Sequence, residues 1–373
     1  MRVLMVSKAC LTGTYQAKLT AIGQTPGVDL AVMVPPFWDD PAGRIELEQR
    51  YTDGYQLFIE PLRFNGNYHF HYWPTLRQKI ADFRPDIIHM DEEPYNLATW
   101  LAWRAATRAG AKFLFFSWQN LNRQYPFPFS WMEQQVLRNS DFAIMGNQDA
   151  AQVFAQKGYA GPQAVIPQFG TDPTIFKPAE EPSQQAKTGN EKSIGFAGRL
   201  IYGKGLDLLI QAVAQLPADL EWELKIAGEG PELDNLQKLA IKLDVGQKVL
   251  FLSRMGSGEM PEFLQSLDLL VLPSRSLPNW KEQFGRILIE AMACGLPIIG
   301  SDSGEIPNVI GEAGLVFPEG DIFTLVNLIE QLLADSDRRA KLGKTGRERV
   351  LQNFTQVQVA TATVEVYRAI ASI

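Results

Sequence analysis

"SIGFAGRLIYGKGLDLLIQA", residues 193–212, carries the pattern on which the fold is read. Five mostly apolar residues run into Gly198, and from Leu206 apolar residues return at helical spacing. A strand that passes through a glycine turn into a helix is the first half of a βαβ unit. The same alternation continues downstream with "ELKIAG", "KVLFLS", "LLVLPS", "PIIGSD" and "GLVFP", and with helical stretches such as "PELDNLQKLAIKL". Upstream, "RVLMVS", "LAVMVP", "DIIHMD", "KFLFFSW", "FAIMGN" and "QAVIPQ" read as strands. "WPTLRQKIADF", "YNLATWLAWRAATRAG" and "DAAQVFAQKG" read as helices, the last two ending on a glycine. Such alternation implies parallel sheets covered on both faces, and strands that are apolar throughout fit that burial. The fold class is α/β, with two tandem Rossmann-like doubly wound domains. Residues 1–170 form the first and 193–354 the second. Residues 171–192, polar after Phe176 and without periodicity, form the linker.

The 373 residues suffice for two ordinary cores. Hydrophobic residues make up 46% and charged ones 21%, a globular balance. A net charge of −7 argues against general affinity for nucleic acid. Residues 1–175 hold 15 Lys/Arg against 16 Asp/Glu, the remainder 20 against 26, and the first half holds six of eight tryptophans. Different roles for the two halves follow from that asymmetry. Arg2 is followed at once by "VLMVS", too short for the apolar core of a signal peptide. The longest apolar runs fall far short of the roughly 20 residues that span a bilayer. Two distant cysteines, Cys10 and Cys294, suggest no disulfide framework and a reducing, cytoplasmic compartment.

In doubly wound sheets ligands bind beyond the carboxyl ends of strands, so residues that follow strands are the informative ones. After "SIGFA" come Gly198, Arg199 and Lys204 on a turn that leads into a helix. An arginine fork and a lysine point charge there suit a phosphate clamp, and a solvated turn paired with a carboxylate is the alternative. "LKIAGEGPEL" half matches a dinucleotide fingerprint, with Gly228 and Gly230 in place but Leu233 where the third glycine belongs. Arg254, after the next strand, would then face a 2′-phosphate as in NADP enzymes. A tight turn with Pro231 at the first helical position explains the same residues without a ligand.

"EQFGRILIE", residues 282–290, sets two carboxylates around a glycine at a helix start near Phe284 or Gly285. Were all eight steps helical, Glu282 and Glu290 would lie ~12 Å apart along the axis, about the reach of a nucleoside diphosphate sugar. The amides of Phe284, Gly285 and Arg286 between them make an anion site, and Gly285 admits close backbone approach. An acid favouring the helix dipole and an exposed helical Glu290 form the plainer reading. The turn at Arg199/Lys204 and this helix start both follow parallel strands, so both can face one crevice.

At this point the sequence resembles the retaining glycosyltransferases of family 4, which have two Rossmann-like domains facing across a cleft (the GT-B architecture). The resemblance rests on "GFAGRLIYGKGLDLLIQA", "LKIAGEGPEL", "LLVLPSRSLPNWKEQFGRILIEAMACGLPIIGSDSGEIPNVI" and "GLVFPEGD", in the family's order. It is specific over 193–350 and looser over 1–170, where "PDIIHMDEEPYNL" carries it. It implies that Glu290 holds the donor ribose, Glu282 the donor sugar, and Arg199 and Lys204 the diphosphate. Phe284, Gly285, Arg286, Gly198 and Arg254 complete the donor side. It implies a nucleotide-sugar donor linked to UDP, GDP or ADP, same-face displacement without an enzyme nucleophile, no metal and no cofactor. It also implies that residues 355–373 pack back on the first domain.

Three departures from the family pattern stand out, one of them Arg286, which replaces the apolar residue common after the glycine and could reach a phosphate or an acidic partner. The loop after the first strand has only Gly13 where many members have two glycines, and His89 lies within its strand, so the family's histidine after that strand is missing. Asp91 or Glu92, which follow with Glu93, is the candidate to face the reaction centre, and capping of the next helix is the alternative. On the acceptor side, Trp118, Gln119 and Asn120 offer a stacking face and amides for a carbohydrate or lipid-linked acceptor. The aromatic loops 63–74 and 117–131 otherwise read as core beneath long loops, or as a peripheral contact with the inner face of a membrane. His69 and His71 share a face if their stretch is extended, without a third metal ligand. Asp335-Ser336-Asp337 lies between helical segments and reads as a helix cap. No protein partner can be inferred. The competing functions are a nucleotide-sugar epimerase or hydrolase of the same fold, an NADP-dependent oxidoreductase, and a non-catalytic nucleotide-sugar-binding subunit.

Overall fold

The twelve apolar runs become strands, and three further strands that the sequence did not announce, Phe37–Asp40, Gly43–Glu46 and Gln56–Ile59, join them in a computed structural model that describes residues 1–41, 43–179, 191–256 and 258–372. Among the described residues they are β1 Arg2–Val6, β2 Asp29–Val34, β3 Phe37–Asp40, β4 Gly43–Glu46, β5 Gln56–Ile59, β6 Ile87–Met90, β7 Lys112–Ser117, β8 Phe142–Met145 and β9 Gln163–Val165. In the second half they are β10 Lys192–Ala197, β11 Trp222–Ala227, β12 Val249–Leu252, β13 Leu269–Leu272, β14 Ile298–Ser301 and β15 Leu315–Phe317. The chain divides into two units, Met1–Gly170 with Gln356–Ile373, and Thr171–Thr355.

The first unit holds a seven-stranded sheet in the order β5-β2-β1-β6-β7-β8-β9, with every pair parallel. The β3–β4 hairpin stands apart as a two-stranded sheet. The second unit holds six parallel strands in the order β12-β11-β10-β13-β14-β15. Renumbered within its unit, that is the doubly wound order 3-2-1-4-5-6. Each unit therefore has one switch point where strand order reverses, between β1 and β6 in the first and between β10 and β13 in the second. Ligand sites in such folds open there.

Burial on both faces explains the apolar strands. Val3, Leu4, Met5 and Val6 have no exposed surface. Leu4 and Val6 enter one core, beneath helices Leu76–Phe83, Leu97–Ala109 and Phe129–Asn139. Val3 and Met5 enter the other, beneath helix Gly13–Gly23 and the C-terminal helix Gln356–Ala371, whose Val359, Val364, Tyr367 and Ile370 join that core. The alternation follows from the two-residue period of a strand. His89 lies inside β6, and its Nδ1 meets the Tyr367 hydroxyl at 2.7 Å, tying the C-terminal helix to the sheet.

Three local features differ from the sequence reading. Helix Gly13–Gly23 was not expected, because its inward face carries Gln16 and Lys18 among the apolar residues. Gln16 donates to the Cys10 carbonyl at 2.9 Å and Lys18 to the Gln168 carbonyl at 2.6 Å, so polar partners rather than a hydrophobic stripe bury that face. The first part of the expected linker is packed on the second unit. Thr171 donates to the Phe354 carbonyl, Phe176 is buried, and Gln265 reaches the Lys177 carbonyl. Residues 180–190 of that linker lie outside the described residues. The stretch holding His69 and His71 is turned rather than extended, so the two rings take different neighbours.

Candidate functional site

In the second unit the switch point gathers residues from three segments. After β10 the chain passes Gly198 and the exposed Arg199, makes a short 3-10 turn over Tyr202–Lys204, and enters helix Leu206–Val213 through Gly205. Lys204 Nζ lies 2.6 Å from Glu282 Oε2, and the Ser274 hydroxyl, just beyond β13, donates to the same oxygen at 2.9 Å. Glu282 and Ser274 are both buried. Lys204 also stands 5.6 Å above the Trp280 ring, which lies against Gly203 so closely that a Cβ there would be 2.5 Å from it. A carboxylate with two charge-assisted partners is held in one orientation at the sheet's carboxyl edge.

Helix Arg286–Ala293 starts one residue later than the sequence suggested, with Gly285 as its N-cap at φ 76°. That left-handed conformation is one that glycine adopts without the Cβ penalty. It also interrupts the path from Glu282 to Glu290. Only the four steps from Arg286 are helical, about 6 Å of rise, so the ~12 Å helical spacing does not apply. Arg286 and Glu290 face each other one turn apart, with Nε 2.7 Å from Oε1. Burial pushes the Glu290 carboxyl up, and Arg286 opposes that shift. Phe284 is buried with its ring 5.9 Å from Phe354, so its side chain serves packing.

Gly228 and Gly230 have an explanation that needs no dinucleotide. A Cβ on Gly228 would lie 1.9 Å from the Gly198 carbonyl oxygen, and one on Gly230 would lie 2.3 Å from that of Leu200. Leu200 donates to the Glu229 carbonyl at 2.8 Å, so the two turns after β10 and β11 press backbone on backbone. Helix Leu233–Lys242 begins two residues after Pro231, which sits in the preceding turn rather than at the first helical position. Arg254 is exposed on the loop after edge strand β12, two strands from β10.

In the first unit the switch point is acidic. Asp91, directly after β6, accepts from the Ser7 hydroxyl at 2.6 Å and from Gln168 at 3.0 Å. Glu92 pairs with Lys8 and lies 3.8 Å from His71 Nε2, both partners coming from other segments. Lys8 stands 5.5 Å from both the Trp38 and Tyr68 rings. Asp91 and Glu92 are both buried. Glu93 accepts from the Ser117 hydroxyl at 2.6 Å and the Trp118 amide at 2.8 Å, and burial pushes its carboxyl up to about 7.

The amide of Gly13 donates to Glu48 at 3.1 Å, and Arg50 pairs with that carboxylate. Trp118 lies half-buried with its indole N–H on Gln168 and its ring against Phe116, Phe169 and Gly146, so protein already covers much of the surface expected to stack on a sugar. Gln119 and Asn120 are buried, and Gln119 takes Lys157 and Tyr125 as partners.

Family comparison adds what geometry alone leaves open. Residues 13–168 match the glycosyl transferase 4-like domain, and residues 178–349 match glycosyl transferases group 1. The chain belongs to the group 1 glycosyltransferases, of the family 4 type. It is 29% identical over 283 residues to a D-inositol 3-phosphate glycosyltransferase of Stackebrandtia nassauensis, an alignment that covers 69% of this chain and 62% of that one. It is 34% identical over 194 residues to a GDP-mannose-dependent monoacylated alpha-(1-6)-phosphatidylinositol monomannoside mannosyltransferase of Corynebacterium glutamicum, covering 48% of this chain and 50% of that one. The matched stretch thus spans less than two thirds of these curated relatives. Among solved structures, Anabaena HepE in complex with UDP superposes with a TM-score of 0.76 at 18% identity, covering 99% of this chain and 100% of that one, which establishes the GT-B fold.

Within this glycosyltransferase family fold, several residues at the two switch points escaped the sequence reading. Ser274 and Trp280 in the second unit are single polar or aromatic residues in a loop, and only the fold brings them to Glu282 and Lys204. Arg275 pairs with Asp207 at 2.6 Å and stacks over Tyr202, and Ser276 donates twice to Glu319 at 2.6 Å. In the first unit Ser7 and Lys8 were equally silent, and His71 stood out beside His69 but not as a neighbour of Glu92. The one available signal was position, since Ser7 and Lys8 directly follow β1. The Asp335 side chain accepts from the Arg338 amide at 2.8 Å and caps helix Ser336–Asn353.

Proposed function

We propose that the chain is a retaining, metal-independent glycosyltransferase that moves a sugar from a nucleotide-sugar donor to a glycan, lipid-linked or small-molecule acceptor. The donor would belong to the second unit, residues 193–354 by sequence, and the acceptor to the first. The observation that carries the reading is the Lys204–Glu282–Ser274 cluster beside the Arg286–Glu290 pair, both at the strand ends around one switch point. Carboxylates accept from the hydroxyls of a sugar and a ribose, and cations donate to a diphosphate. In the reaction the bond between the anomeric carbon and the diphosphate oxygen breaks. The electron pair leaves with the nucleoside diphosphate, and the acceptor hydroxyl bonds to the same face of the sugar while its proton passes to the departing phosphate. Lys204 and Arg199 stabilise the charge that develops on the leaving group, the electrostatic part of catalysis. Glu282 orients the sugar, and Arg286, 2.7 Å from Glu290, holds that carboxyl in place to accept from the ribose.

A UDP, GDP or ADP donor fits these contacts equally, and the UDP in the HepE complex and the GDP-mannose dependence of the corynebacterial relative make the first two the donors to test first. Use of cations for the diphosphate gives the reason to expect no metal or other cofactor. On the acceptor side Asp91, engaged by Ser7 and Gln168, and Glu92, engaged by Lys8 and Asn96, are the two candidates for contact with the reaction centre. Cys10 and Cys294 are free and buried in different units, which accords with a reducing, cytoplasmic setting. The test is a screen of donor hydrolysis and transfer with UDP-, GDP- and ADP-sugars, with and without EDTA. Turnover that EDTA leaves unchanged, with the anomeric configuration kept in the product, is the expected result. An inverted product or strict dependence on added metal would refute it.

A further inference from the structure

The stretch "YGKG", residues 202–205, is rich in glycine for a reason that involves a second loop. Beyond β13 the chain runs through residues 273–282 before helix Arg286–Ala293 begins, and that loop lies against the turn after β10. A Cβ on Gly205 would lie 1.9 Å from the Pro273 carbonyl oxygen, and one on Gly203 would lie 2.5 Å from the Trp280 ring. The Arg275 amide donates to the Gly203 carbonyl at 2.8 Å. Its guanidinium stands 4.2 Å from the centre of the Tyr202 ring while Nη2 holds Asp207 at 2.6 Å. "LPNW", residues 277–280, fixes the far end of the loop. Proline and asparagine suit the centre of a tight turn, and Leu277 and Trp280 exchange two backbone hydrogen bonds across it, at 2.7 and 3.2 Å. Ser276 is tied in turn to Glu319. Trp280 therefore reaches the turn from a loop anchored at several points.

What this grip holds is Lys204. Its ammonium lies 2.6 Å from the buried Glu282 and 5.6 Å from the centre of the Trp280 ring, and its side chain is 14% exposed. Glu282 and Trp280 stand two positions apart on one loop, so a carboxylate and a ring face meet the lysine from the same segment. A ring face attracts a cation within about 6 Å, and the attraction grows as water is excluded. A lysine stem is flexible and its ammonium is a point charge, so a single carboxylate leaves the direction of approach open. The ring closes one side. Arg199, on the same turn, is exposed and takes no ion pair among the described residues. Of the two cations, Lys204 is the one that the fold holds in place. A charge already in position stabilises a developing charge without the cost of reorganisation that a mobile one carries.

We propose that Trp280 is a positioning residue for glycosyl transfer, one that keeps the Lys204 ammonium where charge develops on the departing diphosphate. The inference rests on the reading of Lys204 as the leaving-group cation. It is tested by steady-state kinetics of the full chain over the panel of UDP-, GDP- and ADP-sugars. Trp280→Ala should lower kcat about tenfold and leave the donor KM within about threefold, because the interaction strengthens only in the transition state. Trp280→Phe should recover most of that loss, and Trp280→Leu, which fills space without a ring face, should not. In a Lys204→Ala background Trp280→Ala should cost nothing further, whereas in an Arg199→Ala background its full cost should remain. A Trp280→Ala loss of the same size with and without Lys204 overturns the inference alone, as does an undiminished kcat in Trp280→Ala. Recovery by leucine equal to that by phenylalanine overturns it too, and that pair decides the matter if Trp280→Ala does not fold. Undiminished turnover by Lys204→Ala, or no turnover of any donor by wild type, refutes the reading of Lys204 and the inference with it.

Discussion

The two units share strand order and a charged switch point, yet they arrange their charges in opposite ways. In the second unit Arg199 and Lys204 share one glycine turn, Lys204 meets Glu282 from a second segment, and Glu290 pairs with Arg286 at the helix start that follows. In the first, three consecutive acids follow β6, and single partners from scattered segments, Ser7, Lys8, His71, Ser117 and Gln168, neutralise or saturate them. One unit keeps its charge bearers within two short motifs, and the other assembles them from separate loops. Under the proposed function, a polyanionic donor common to many enzymes calls for the first arrangement. The second leaves each loop free to change with the acceptor.

Four substitutions would break or sharpen that contrast. Lys204→Ala removes the cation that pairs with the buried Glu282. A fall in kcat/KM of about 10²–10³ is expected, and a loss under tenfold would deny Lys204 its charge-stabilising role. Gly228→Ala forces a Cβ to 1.9 Å from the Gly198 carbonyl and should destabilise the second unit by about 3 kcal/mol in urea unfolding. A variant as stable as wild type would return the glycine to a ligand role. Glu290→Ala should weaken UDP or GDP binding roughly ten- to hundredfold by calorimetry. Unchanged affinity would sink the ribose assignment.

The smallest effect belongs to the first unit, through Glu93. Its carboxyl titrates near 7 in the fold against 4.5 ordinarily, because burial outweighs the Ser117 and Trp118 donors. A raised carboxylate binds more protons folded than unfolded, so its contribution is full below the ordinary value and is lost as pH rises towards 7. Glu93→Gln should therefore raise stability by about 1–2 kcal/mol at pH 8 and leave it little changed at pH 5. Parallel melting curves for the two proteins across that range would show that Glu93 does not titrate there.

How much of this was legible in the sequence varied with the distance over which partners meet. "SIGFAG" and "LLVLPS" announced β10 and β13 because a buried parallel strand is a local apolar run between turn residues. Glu282, Gly285 and Glu290 stood out because a glycine at a helix start is a local signal as well. Helix Gly13–Gly23 was invisible because Gln16 and Lys18 bury through hydrogen bonds, which leave no hydrophobic period. The ~12 Å spacing failed because the left-handed turn at Gly285 is invisible to an argument from helical rise.

By itself the sequence determined the parallel α/β class, the twelve strands with apolar runs, and which charged residues stand at their carboxyl ends, since each is written within a dozen neighbouring residues. Only the tertiary structure decided which charges face each other. Lys204 meets Glu282 across 78 positions and Ser7 meets Asp91 across 84, and no local periodicity encodes a pairing at that range. Strand order creates those encounters, and a buried carboxylate is stable there only because the partner arrives with it.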